Sequence, residues 1–177
     1  MPQHETERDR LLETLRQFDR AVALEHPGRV SELVIVGGGA LVLLGLISRP
    51  TEDIDAIRFP VELHPLMEEF GLNGRVLTWE NHFPYNFDDR RVRLESPFKA
   101  LRCYTASLED LVVSKLYSNR DPDAADIREP AVLESLNWDL LAAAVKDAEL
   151  SRLSGRRYQE MLHSYDEYRK ECGPCES

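Results

Sequence analysis

The sequence predicts an α/β (α+β) fold in which strands alternate with helices, opened by an N-terminal helix and closed by a C-terminal helical extension. Three observations carry this. In residues 5–25, Leu11, Leu15, Phe18 and Val22 recur at three- and four-residue spacing, which describes one apolar helical face. The run "ELVIVG" at 32–37 is apolar, rich in β-branched residues and short enough for a buried strand, and Gly37 to Gly39 stop it. From about Glu134 to Cys172 the pattern reads as two helices parted near "SRLSG".

The elements between follow in order. "ALVLLGLI" is apolar on all sides and begins directly after glycine, so it predicts a buried helix whose N-terminus faces the glycine turn. "IDAIRF" at 54–59 alternates and is bounded by Pro60, a second strand. "VELHPLMEEFG" predicts a short helix stopped by Gly71. "RVLTW", "RRVRLES" and "LRCYTA" read as further strands. "SLEDLVVSKLYS" places Ser107 and Asp110 three residues apart, a capping-box-like start to a helix that buries Leu111, Val112 and Leu116. Asp121 can cap the turn that has Pro122 at its first position, and Pro130 is expected to end it.

A chain of 177 residues, 42% of them hydrophobic, holds one core of ordinary size, so a single domain over 1–177 is expected. Its core should span about 28–130 and its C-terminal helices about 131–172. A net charge of -10 and a pI near 5.0 argue against a general binder of nucleic acid or anionic membrane. Local basic clusters, Arg90, Arg91, Arg93, Lys99 and Arg102, and Arg152, Arg156 and Arg157, leave room for a nucleic-acid end at one edge. The charged N-terminus "MPQHETERDRLLE" is no targeting signal, and the long apolar run contains glycines, so a soluble cytoplasmic protein is expected. Three cysteines build no disulfide framework, and the "CGPC" at 172–175 lies too close to the chain end for the strand-and-helix setting that lowers a redox thiol.

The chemistry concentrates in strand, glycine turn, buried helix, strand with carboxylates. A helix N-terminus with bare backbone N–H groups suits phosphate. Asp53 and Asp55, two residues apart at a strand mouth, point to one face. Two carboxylates beside a phosphate cradle suit Mg²⁺, a hard cation that completes its shell with phosphate oxygens, so a nucleoside triphosphate (NTP) with magnesium is the expected ligand. Two competing motifs fit less well. Gly37 and Gly39 match the first two positions of the dinucleotide fingerprint but Val42 occupies the third, and no Gly-Lys-Ser/Thr follows for a Walker A loop.

The stretch "GGGALVLLGLISRPTEDIDAI" resembles the signature of the DNA polymerase β-type nucleotidyltransferase superfamily, in which a Gly-Gly or Gly-Ser turn precedes a helix and Asp-x-Asp follows on the next strand. The resemblance is closer to one branch, the minimal nucleotidyltransferases, which include abortive-infection type toxins of bacterial toxin–antitoxin systems. There "LEDLVVSKLYSNRDPDAADI" is similar too, with a helix Lys, then an Arg, then spaced aspartates. The likeness covers about residues 32–58 and 107–127.

The resemblance implies a nucleotidyltransferase-like mixed sheet flanked by helices. It places Gly37 and Gly38 at the β- and γ-phosphates, with Thr51 nearby as a hydroxyl donor, and gives Mg²⁺ to Asp53 and Asp55. Lys115 would balance triphosphate charge. Asp126 matches the terminal acid of the second motif, with Arg120 and Asp123 as supporting residues. The implied activity moves a nucleotidyl group to an acceptor in RNA, tRNA included, or in protein, with an antitoxin as a partner and no membrane. Family members usually carry a third carboxylate on a neighbouring strand; Glu95 is the strand candidate here, with Asp88 and Asp89 in the loop before it. A non-catalytic nucleotide- or partner-binding protein on the same fold is the alternative, and an NAD-binding module a distant third.

Overall fold

The computed structural model describes residues 5–150 and 155–174. It divides into two compact units: residues up to Leu77 with Arg91–Ala106, and Thr78–Arg90 with the chain from Ser107 onward.

The first unit is built on a sheet. Helix α1 (Glu7–Glu25) starts at Thr6, whose hydroxyl and backbone exchange hydrogen bonds with Asp9 in a capping box. It buries Leu11, Leu15, Phe18 and Val22, the face that the spacing predicts. Strand β1 (Ser31–Ile35) leads into α2 (Gly37–Leu43), then β2 (Ile54–Ile57), α3 (His64–Glu69), β3 (Leu72–Asn73), β4 (Val92–Arg93) and β5 (Leu101–Thr105). The strand order is β3-β2-β1-β5-β4. β1 runs antiparallel to β2 and parallel to β5, while β2 and β3 are parallel and β4 and β5 antiparallel. This is the mixed sheet with flanking helices expected of a nucleotidyltransferase-like α+β fold. Central β1 is buried on both faces at Leu33, Val34 and Ile35, which is why it reads as a continuous apolar run rather than an alternating one.

Two polar devices fix this frame. The carboxylate of Asp19, buried on α1, accepts from the backbone N–H groups of Lys99, Ala100 and Leu101 at 2.8 to 3.1 Å, docking α1 on the entry to β5. At the C-terminus of α2, Gly45 (φ 74°) donates to the Val42 carbonyl and Leu46 to that of Leu41, the paired bonds of a Schellman cap.

The second unit is helical: α4 (Leu108–Ser118), α5 (Asp121–Asp126), α6 (Pro130–Ser135), α7 (Trp138–Asp147) and α8 (Gly155–Cys172), preceded in the chain by 3-10 turns at Leu77–His82 and Phe87–Arg90. Ser107 caps α4 by accepting from the Asp110 N–H, as expected. α4 packs against α5, α7 and α8.

The structure corrects several local expectations. "RVLTW" is no strand: the outer partner of β2 is the earlier Leu72–Asn73, and the Asn73 side chain accepts from the Arg75 N–H, an Asx-turn that ends the strand and leads into a 3-10 helix. β2 stops at Ile57 because Arg58 turns left-handed (φ 52°). "RRVRLES" supplies only the two residues of β4. Arg120, not Asp121, is the cap residue of α5, and it caps with no side-chain bond. Pro130 opens α6 instead of ending α5, as its fixed φ and missing N–H permit in a first turn. Between Glu134 and Cys172 the described residues hold the two expected helices, α7 and α8, with α6 ending at Ser135; the "SRLS" at 151–154 lies outside the described residues, as do Arg152 and Cys175. The Cys172 thiol is raised by burial, opposite to what redox chemistry needs.

Candidate functional site

The three glycines are the first turn of α2, not a loop ahead of it. Strand β1 runs out through Val36, still extended (φ -132°, ψ -176°), whose N–H donates to the Asp55 carbonyl at 2.9 Å. The chain then reverses at Gly37, which is left-handed (φ 67°); a Cβ there would also stand 3.0 Å from Asp55 Oδ2. Backbone conformation therefore calls for glycine, and a Cβ would press on the carboxylate besides. At Gly38 a Cβ would meet the Arg49 guanidinium at 2.8 Å, so Arg49 lies across that residue. At Gly39 a Cβ would rest 3.8 Å from the Asp53 carbonyl and Ile54 Cα, in ordinary contact with the start of β2. The glycine turn and the Asp-Ile-Asp segment are thus neighbours.

Asp55 is half-buried and Asp53, just ahead of β2, is exposed. The loop carrying Asp53 is held by the first turn of α1. The Thr51 N–H donates to Glu7 Oε1 at 3.0 Å, and Arg10 Nη2 donates to the Thr51 carbonyl at 2.8 Å. Arg10 and the Thr51 N–H hold the Glu7 carboxyl below the usual glutamate range, against the effect of burial. The Thr51 hydroxyl oxygen is buried with no hydrogen-bond partner. On the far side of β2, Asn73 Nδ2 donates to Asp55 Oδ1 at 2.9 Å.

Two carboxylates at one strand mouth fit Mg²⁺, which keeps several waters and binds through one or two protein carboxylates plus substrate phosphates. Among the described residues no group of three or more His, Cys, Asp and Glu side chains could hold a metal. The third-acid candidates agree with that. Glu95 is exposed and lies beyond β4, outside any strand, and Asp88 and Asp89 sit on the 3-10 turn Phe87–Arg90 of the second unit. Sequence reasoning gave no role to Arg49 or Asn73. Arg49 stands inside the quoted "SRPTEDID" and was readable as a cation near the turn. Asn73 needed the β2–β3 register, which is set by two residue pairs.

The second motif forms a cluster of its own in the second unit. Lys115 on α4 is 4% exposed, and its Nζ donates to Asp123 Oδ1 at 2.7 Å and to Asp126 Oδ2 at 2.8 Å, both on α5. Ser118 Oγ and Arg120 Nε donate to Asp123 Oδ2. Burial works against ionisation of Asp123, but the Lys115, Ser118 and Arg120 donors outweigh it and hold the carboxyl below the usual range. Arg120 also lies over the Trp79 ring, 5.6 Å from its centroid. The basic cluster near residue 90 divides: Arg90 pairs with buried Asp110 in the second unit, whereas Arg91 pairs with Glu32 and stacks on Tyr104 in the first.

A family model described as a nucleotidyltransferase of unknown function (DUF6036) matches residues 12–172. The chain belongs to this family. The match runs from within α1 to the end of α8 of the DUF6036 chain, the glycine turn, both aspartates and the Lys115 cluster included. No curated protein and no solved structure matches it. No described helix of this DUF6036 member is long and apolar enough to cross a membrane.

Proposed function

We propose that this chain transfers a nucleotidyl group from an NTP to an acceptor hydroxyl, with Asp53 and Asp55 as holders of Mg²⁺. The observation that carries the reading is the meeting of Gly37 with Asp55: the turn suited to phosphate and the carboxylate suited to the cation stand within one side chain's width. In the reaction the acceptor oxygen bonds to the α-phosphorus, the bond to the bridging oxygen of the β-phosphate breaks, pyrophosphate leaves, and the acceptor proton passes to solvent or a carboxylate. When bound, Mg²⁺ supplies charge stabilisation at the phosphates. Gly37 and Gly38 present bare backbone to the triphosphate, and the Arg49 guanidinium over Gly38 adds positive charge at the same turn.

Lys115 and Asp126 take a different part from the one the resemblance implies. Because the ammonium is buried between two carboxylates, we assign Lys115, Asp123, Asp126 and Arg120 to holding α4 on α5. Thr51 orients the loop that carries Asp53 through its backbone bonds to Glu7 and Arg10. The acceptor we assign is an RNA, tRNA included, or a protein side chain, and the cellular setting is the toxin of a toxin–antitoxin pair.

A non-catalytic nucleotide binder is the second reading, favoured by the missing third acid among the described residues. Thermal shift with Mg²⁺ and each NTP tests the binding that both readings need. Ligand at 100 times its dissociation constant adds about 2.7 kcal/mol, and no gain at millimolar NTP rejects both.

A further inference from the structure

We propose that Asn73 is a positioning residue for the Asp55 carboxylate, holding Oδ1 so that Oδ2 faces the glycine turn. The inference rests on the reading of Asp53 and Asp55 as the metal-holding pair, and it concerns a residue that no motif picked out.

The parallel pairing of β2 with β3 sets Asp55 opposite Asn73, so the two side chains lie side by side on one face. Asn73 Nδ2 donates to Asp55 Oδ1 at 2.9 Å, while Asn73 Oδ1 accepts from the Arg75 N–H at 3.0 Å. Reversing the amide would set its oxygen against a carboxylate and its NH₂ against an N–H donor, so both contacts dictate the same orientation. The terminal torsion of an aspartate is broad, and an oriented donor on one oxygen narrows it. The other oxygen is the one 3.0 Å from where a Cβ of residue 37 would stand. The two oxygens thereby divide their work, Oδ1 to the neighbouring strand and Oδ2 to the side from which phosphate and cation approach. A neutral amide does this without adding charge beside the carboxylate pair or the nearby Arg49. Partners that orient metal-holding side chains typically matter by about 10- to 100-fold in metal affinity.

The test is titration of the full chain with Mn²⁺ alone, following the free ion and the bound ion's line shape by electron paramagnetic resonance. Wild type, Asp55→Asn, Asn73→Ala and Asn73→Leu are compared, with circular dichroism and urea midpoints recorded for each. Asn73→Leu keeps the bulk should Asn73→Ala loosen the edge strand; β3 itself pairs through its backbone. Expected are binding by wild type, loss in Asp55→Asn, and about 10- to 100-fold weaker binding with an altered line shape in both Asn73 variants at wild-type urea midpoints. Wild-type affinity and line shape in either folded Asn73 variant, with Asp55→Asn defective, overturns the role of Asn73 alone. Weaker binding only in step with lost stability also overturns it, as the mark of a structural residue. Absence of Mn²⁺ binding by wild type removes the metal reading of the pair and this inference with it.

Discussion

Gly37 and Asp55 face each other so closely that a Cβ on residue 37 would stand 3.0 Å from Asp55 Oδ2. Gly28 makes a control, since it too is left-handed (φ 77°) but a Cβ there meets nothing within 4 Å. Either Gly→Ala change costs about 1–2 kcal/mol of backbone strain, a fall in Tm of about 2–8 °C for a chain of this size. Gly37→Ala alone should also abolish stabilisation by Mg²⁺ and NTP, because it pushes against the carboxylate. Equal ligand-induced shifts in the two variants would separate Gly37 from the site.

Lys115 separates a structural cluster from a phosphate-binding one. Replacing it by Met strands two buried carboxylates, Asp123 and Asp126, and should cost about 3–5 kcal/mol in urea unfolding. A variant of near wild-type stability that no longer binds NTP would instead give Lys115 to the triphosphate. The acid limb of stability follows from the sign of the Asp123 shift. Its folded carboxyl titrates below the ordinary 3.8, so its contribution is complete above that value and disappears as pH falls from there through the lower folded value. In Lys115→Met the folded value moves up towards 3.8, so that limb should shrink.

His82 gives a second pH signature. Burial first, then the Arg157 and Arg120 charges, bring its imidazole down from 6.5 to about 4. Its ring stacks on Tyr117, 5.6 Å between centroids. Because the unfolded chain takes up this proton at higher pH than the folded one, stability is whole above about 6.5 and erodes as pH falls towards 4. An NMR titration of the His82 ring should show a midpoint near 4, and His82→Gln should remove that part of the acid sensitivity. A midpoint near 6.5 would mean that the ring is solvated.

How much of this was legible in the sequence depended on the range of the forces involved. The face of α1, strand β1, the Ser107 cap and the pairing of Asp53 with Asp55 are written in spacings of at most four residues, and periodicity reads those directly. "RVLTW" misled because a short β-branched run records propensity but not a partner. The outer partner of β2 is two residues long, and its end is set by one Asn side chain bonding to the Arg75 N–H. The burial of Lys115 was hidden for a related reason. Lysine at one helical position looks solvated until α5 folds back and supplies Asp123 and Asp126. Asn73 beside Asp55 is a contact across 18 residues, set by strand register alone.

Catalysis is separated from binding by the fate of label. Incubation with α-labelled NTP, Mg²⁺ and total RNA or cell extract should move label to an acceptor, whereas γ-labelled NTP should not, because the β- and γ-phosphates leave together as pyrophosphate. A kinase gives the reverse pattern. Asp53→Asn should lower the rate by about two to three orders of magnitude, since losing one metal-holding charge removes on the order of 3–4 kcal/mol of transition-state stabilisation and each ~1.4 kcal/mol is tenfold. Glu95→Gln should leave the rate unchanged, because Glu95 is exposed and stands outside the strands that carry the pair. A large loss in Glu95→Gln would restore it as the third carboxylate and require β4 to extend when substrate binds. Label on no RNA or protein, despite stabilisation by NTP, would make this chain a nucleotide binder that has kept the glycine turn and the aspartates without the chemistry.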